Sequence, residues 1–322
     1  MEKNTESPEL TLPAGVWPAA LTPFSHTLEI DREAFVRHVT ALTQAPHVTA
    51  IVVNGHAGEA SSLSQAERLE LIALAKAAVG TQVAVISGVI ADATDEAESL
   101  AGEFERAGAD GILLFPPSGF RLGVQDRPDM AVEFVRSVSS ATSLPICLFQ
   151  YPLSSGMGYP TSLLRTICEQ VGAVVAVKES SDYPADYERN CAALADLGRP
   201  VRILSSNNAW LFASLAIGGD GIISGIGSVA APILSDIYDR VLADDLVEAR
   251  AAQRRLFALT EVLLAPPLCD SHTRMKVMLC ELGIFPTATV RGPLLPITDP
   301  GEVQALSRAL DAAGLRATTA SR

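Results

Sequence analysis

The chain has 322 residues, 48% of them hydrophobic and 19% charged, which supplies a large core and excludes wholesale disorder. Acidic side chains outnumber basic ones 37 to 24, a formal net charge of −13, so the basic surface of a nucleic-acid binder is missing. No apolar run of membrane-spanning length is free of charge, so no membrane partner is expected. The polar start has no signal-type apolar core. The five cysteines, Cys147, Cys168, Cys191, Cys269 and Cys280, form no CxxC pair, which points to a reduced, cytoplasmic setting.

Short runs rich in β-branched residues alternate with longer helix-periodic segments. Strands are expected at Val16–Leu21, Ala50–Asn54, Val83–Ser87, Gly111–Phe115, Pro145–Gln150, Val174–Lys178, Arg202–Leu204 and Gly221–Ser224. Between them, helices are expected at Arg32–Thr43, Ser64–Val79, Ala93–Ala107, Pro128–Ser140, Thr161–Gln170, Ala185–Ala195 and Ala209–Ile217. Ser64 with Glu67 reads as a capping box, and Asp31 and Thr161 as N-caps. Eight apolar strands, each followed by a helix, predict a (β/α)8 TIM barrel. An open doubly wound sheet would usually carry a glycine-rich loop after its first strand, where this chain has Thr22-Pro23-Phe24. Further helical patterns at Pro232–Leu242, Leu246–Leu264, Thr273–Leu282 and Glu302–Ala313 predict a C-terminal helical appendage. The expected division is a tail over 1–14, a barrel over 15–242, a helical region over 243–316 and a tail over 317–322.

Barrel chemistry sits at the carboxyl ends of strands. The sixth strand ends at Lys178, the only one of four lysines to close an apolar strand, and alternation places it on one face with Val174 and Ala176. Burial there lowers an amine's pKa and makes it a nucleophile able to form an imine with a ketone. The alternative is a lysine that snorkels to the rim or pairs with Glu179. After the second strand, Gly55-His56-Ala57-Gly58-Glu59 reads as a tight turn whose N–H groups can cradle a carboxylate, with His56 as an acid or base. After the fifth strand, Phe149 and Tyr151 share a face, and Tyr151 brings a hydroxyl to the barrel mouth unless both rings plug the core. The five histidines show no HxH or HExxH spacing, so neither a metal nor an organic cofactor is expected.

The GxxGE turn, the aromatic-x-x-Pro motif from Phe149 to Pro152 and Val177-Lys178-Glu179-Ser180 occur in an order that resembles the dihydrodipicolinate synthase / N-acetylneuraminate lyase family. The resemblance runs from Gly15 to Ile297 and includes Gly218–Ser224 and Lys276 with Leu282-Gly283. It implies a (β/α)8 class I aldolase, lyase or dehydratase acting on a 2-oxo acid without a cofactor, assembled as a homodimer or homotetramer. It also implies that Lys178 forms the Schiff base, that Gly55, His56 and Ala57 hold the substrate carboxylate, that Glu59 anchors their loop, and that Ile223 adds its backbone nearby.

The departures bear on function. Phe149 stands where the family usually has the proton-carrying tyrosine, and phenyl cannot move a proton. His56 replaces a hydroxyl residue of the synthases, Pro116–Phe120 replaces a loop tyrosine, and Ser154 falls where they use an arginine. These changes argue against dihydrodipicolinate synthase itself and weaken N-acetylneuraminate lyase. The expected activity is a Schiff-base lyase, aldolase or hydro-lyase in which His56 and Tyr151 take over proton transfer, with the imidazole titrating near the working pH. The second reading is a chain that binds a 2-oxo acid as sensor or scaffold. Ser154, Asn207 and neighbouring amides, with Phe149, Phe120 and Tyr151 as walls, suggest a polar, uncharged distal pocket suited to a neutral or aromatic aldehyde.

Overall fold

In a computed structural model, the structure describes residues 10–316. The tail segments 1–9 and 317–322 lie outside the described residues. Eight parallel strands, β1 (Gly15–Pro18), β2 (Ala50–Val53), β3 (Ala84–Val89), β4 (Gly111–Leu114), β5 (Ile146–Gln150), β6 (Val174–Glu179), β7 (Arg202–Ser205) and β8 (Gly221–Ser224), lie in the order β1-β8-β7-β6-β5-β4-β3-β2. Single bridges Val16–Val48 and Ala19–Val52 join β1 to the β2 side and close the ring. The protein is a (β/α)8 barrel.

The strand residues are nearly all buried, because one face fills the barrel and the other meets the helices. Around them lie α1 (Arg32–Leu42), α2 (Gln65–Val79), α3 (Thr94–Arg106), α4 (Pro128–Ser140), α5 (Thr161–Gln170), α6 (Pro184–Ala195), α7 (Leu211–Ile217) and α8 (Gly227–Leu242). The Ser64–Glu67 capping box forms, and the Asp31 carboxylate accepts from Ala34 N–H. Thr161, expected as a cap, is instead the first helical residue, behind Pro160.

Two expected boundaries move for clear reasons. The first strand was expected to reach Leu21, but after Pro18 the backbone leaves one partner for another: Ala19 N–H donates to Ser224 and Ala20 N–H to Val52. The eighth barrel helix was expected from Pro232, yet α8 begins at Gly227 and bends at Ala230 (φ −113°, ψ 20°), two residues before the proline. The ring forbids a regular turn there and sets the bend.

Beyond the barrel come α9 (Leu246–Leu263), α10 (Ser271–Glu281) and α11 (Pro300–Ala313). Leu263, Met275 and Met278 are fully buried within the single chain. Leu246, Val247, Phe257 and Leu264 of the same region stay exposed.

Candidate active site

Position 178 is one residue short of the end of β6. Its direct neighbour on β5 is Phe149, and the Lys178 ammonium nitrogen lies 4.0 Å above the centre of that phenyl ring. Glu179 points the other way. Its buried carboxylate accepts from the Ser181 N–H and hydroxyl and from the Asn190 amide, so it does not pair with Lys178. Desolvation pushes the Lys178 amine down to about 8, opposed only by nearby Cys147. A cation–π contact offsets a small part of the missing hydration.

The turn after β2 faces this amine. Asn54 and Glu59 adopt left-handed backbone (φ 55° and 56°), whereas Gly55 and Gly58 do not. The tight bends thus fall on the residues that flank the glycines. Asn54 is held by its side-chain amide, which donates to the Arg68 carbonyl and the Ser87 hydroxyl, each at 3.0 Å. Gly58 accepts from the Thr22 hydroxyl. Gly88 on β3 lies against the same turn: a Cβ there would stand 2.4 Å from the Asn54 carbonyl oxygen. Among the described residues, the N–H groups of Gly55, His56 and Ala57 have no backbone acceptor, while the carbonyls of Gly55 and His56 accept from Ala60 and Glu59. The turn presents donors, as an anion cradle requires.

Glu59 secures the turn from behind. Its carboxylate forms a buried ion pair with Lys276 of α10, and neither side chain is more than 2% exposed. Lys276 also donates to the Thr289 carbonyl and lies over the Phe24 ring. Arg291 adds a second tie, donating to Glu67 and to the carbonyls of Leu28 and Ser62. The sequence marked Glu59 as an anchor but gave no sign of its partner, a lysine within an ordinary helix pattern.

His56 projects from the turn into a cluster of rings. Its centroid is 4.8 Å from that of Phe115, and Tyr151 stacks on Phe149 at 4.0 Å. The Tyr151 hydroxyl and the His56 Nε2 are 3.3 Å apart, a hydrogen bond in either direction. The enclosing rings desolvate the imidazole, and Lys178 and His272 add repulsion; together they hold it down to about 4. This direction favours the neutral ring and runs against the expected titration near neutral pH, although His56 itself remains exposed. Burial also pushes the Tyr151 phenol well above its ordinary value.

These groups border a cavity of about 480 Å³ lined by Lys178, Gly55, His56, Ala57 and Ile223, with Phe115, Ser206 and Asn208 beside them. A second cavity of about 510 Å³, bordered by Tyr151, meets it at His56 and Phe115. The distal wall differs from expectation. Ser154 donates to Asp182, and the Asn207 amide is turned to the buried Glu179; neither lines the 480 Å³ cavity. Phe120 packs on Phe134 instead. The far wall comes from the segment after α9, with Leu264, Leu268 and Cys269, and from the start of α10, with Ser271, His272 and Met275. No sequence signal linked that segment to the barrel mouth. Among the described residues, no three His, Cys, Asp or Glu side chains gather as metal ligands, and no helix is long and apolar enough to cross a membrane.

Relatives agree with this architecture. The chain is 27% identical to a 4-hydroxy-tetrahydrodipicolinate synthase of Bartonella bacilliformis over 94% of its own length and 98% of the relative's. It is 26% identical to an uncharacterized DapA-like lyase of Thermofilum pendens, over 88% and 92% of the two chains. A solved monomeric variant of dihydrodipicolinate synthase superposes with a TM-score of 0.88 at 25% identity, covering 97% of this chain and 100% of the other. The dihydrodipicolinate synthetase family model matches residues 12–313. With its barrel, its strand-end lysine and its donor turn, the chain belongs to the dihydrodipicolinate synthetase family.

Proposed function

We propose that the protein is a Schiff-base lyase of the class I aldolase type acting on a 2-oxo acid, with Lys178 as nucleophile. The observation that carries this reading is a strand-end amine that has no carboxylate partner, is held down to about 8, and faces a turn of free N–H groups across one cavity. The uncharged amine attacks the C2 ketone, the carbinolamine loses water, and the iminium draws electrons from C3, so a bond to C3 or C4 can form or break. Backbone N–H groups of Gly55–Ala57 would hold the C1 carboxylate, with Ile223 beside it.

Proton transfer falls to the His56–Tyr151 pair, since Phe149 carries no proton. A neutral imidazole hydrogen-bonded to a phenol accepts at one nitrogen and donates at the other, so it relays a proton without a stable imidazolium. Phe149 at the position of the family's phenol, together with Ser154 in place of an arginine, supports an activity other than dihydrodipicolinate synthase itself. The five free cysteines support a reducing, cytoplasmic setting, and the family resemblance supports a homodimer or homotetramer.

Borohydride reduction with pyruvate present tests the assignment. The expected result is a covalent adduct on Lys178, located by peptide mass. Binding of pyruvate with no adduct would favour a sensor or scaffold. His56→Ala should keep the adduct while turnover falls about 10²–10⁴-fold, and Phe149→Tyr in that background should restore part of it.

A further inference from the structure

The cavity has three basic side chains, Lys178, His56 and His272, and neither Asp nor Glu among its lining residues. Lys178 and the donor turn account for the keto and carboxyl ends of a 2-oxo acid. The opposite wall is the first turn of α10. That helix has 11 residues, and its N-cap, Asp270, makes no side-chain capping bond to it. The Ser271 N–H is taken by the Leu268 carbonyl, so what this end of the helix offers is the positive pole of its dipole and the N–H groups that follow.

Two side chains of the same turn line the cavity. Ser271 is only 6% exposed, and its hydroxyl has no hydrogen-bond partner among the described residues. His272 is held down to about 4 by burial, then by Lys276 and Lys178, and no hydrogen bond shapes its titration. A hydroxyl that opens on the cavity and makes no protein hydrogen bond is free to donate to a ligand there.

We infer that the first turn of α10, through Ser271 and His272, binds a second anionic group of the substrate, so that the preferred 2-oxo acid is a dicarboxylate or carries a comparable anion at its far end. The inference rests on the imine reading and deepens it. It replaces the neutral distal pocket that Ser154 and Asn207 suggested, because those two side chains face Asp182 and Glu179 instead. A hydroxyl, an imidazole N–H and helix-terminal amides are donors that match a carboxylate.

The test is borohydride trapping across a concentration series of 2-oxoglutarate and of 2-oxopentanoate, which has the same chain length without the second carboxylate. Wild-type protein should reach half-maximal adduct at about tenfold lower 2-oxoglutarate, the discrimination expected of hydrogen bonds to a charged group. In His272→Leu that ratio should fall toward one, and in His272→Asn, which keeps a donor, it should lie between. A wild-type ratio near one, or an unchanged ratio in His272→Leu, overturns the inference even if that variant folds poorly, because the wild-type comparison stands alone. If pyruvate itself gives no adduct, the imine reading fails. Calorimetry of 2-oxoglutarate on wild type and His272→Leu then decides the inference, equal affinity sinking it.

Discussion

Among the described residues, Lys276 is fully buried and Lys178 half-buried, and the surroundings of the two differ in every respect that matters. Lys276 has an ion-paired carboxylate, a carbonyl acceptor and an aromatic face. Lys178 has the face of Phe149 and no anion. Burial lowers both amines, but at Lys276 the Glu59 carboxylate works against it, whereas at Lys178 only a thiol does. A desolvated amine with a complete set of partners holds structure together, and one left without them is available for bond formation. The same contrast separates the two faces of the β2 turn: its back is tied by Glu59, while its front leaves donors free.

Replacing each lysine by methionine gives opposite outcomes. Lys178→Met should abolish turnover and borohydride labelling, read by assay and peptide mass. It should also stabilise the protein at pH 7 by roughly 3 kcal/mol in urea unfolding, since the native pKa lies well below the unfolded 10.5. Between about 8 and 10.5 the unfolded chain holds a proton that the native one lacks, so wild-type stability rises with pH and the advantage of the variant narrows. Lys276→Met should instead cost about 3–5 kcal/mol, because it strands the Glu59 carboxylate in the interior. Adding Glu59→Gln should recover much of that loss. Similar losses in the single and double variants would show that the pair is not coupled.

The pH dependence sharpens the contrast further. Below its pKa Lys178 is an ammonium and cannot attack, so the initial rate of imine formation at limiting pyruvate should rise about tenfold per pH unit and level off near 8. His56 is neutral above about 4 and should add no further step in the neutral range. The smallest effect is expected from Phe149→Leu. Loss of the ring face removes the one group that favours the ammonium by contact, so the midpoint should fall by less than about one unit. A rise in that midpoint would mean that the ring acts chiefly by excluding water.

The barrel was legible because strand and helix periods repeat eight times, and Lys178 because alternation along an apolar strand fixes which face it occupies. The turn Gly55–Glu59 was legible as a location but misread in detail: its left-handed bends fall on Asn54 and Glu59, not on the glycines. Beyond strand ends, periodicity is silent. Ser205, Ser206, Asn207 and Asn208 looked alike in sequence, yet the buried Glu179 draws Asn207 away and leaves Ser206 and Asn208 to line the cavity. His272 and Lys276 were harder still, since helical spacing reveals neither a distant carboxylate nor a cavity wall contributed by a remote segment. The pKa of His56 depended on Phe115, Lys178 and His272 converging on it, which is a property of the fold and not of its loop.

The near contact between Gly88 and Asn54 has a consequence for anyone who sets out to reshape this protein. Even a single methyl at position 88 would overlap the Asn54 carbonyl oxygen and crowd Gly55. A randomised library at position 88 alone should therefore return glycine, because each alternative shoves the Asn54–Gly55 turn out of register. Variation there becomes tolerable only in a chain whose Asn54–Gly55 backbone has already shifted. A route toward a reshaped cavity then opens in a fixed order, turn first and neighbouring strand second. Recombining halves of two relatives across that seam should give folded proteins whose β2 turn is displaced from the cavity.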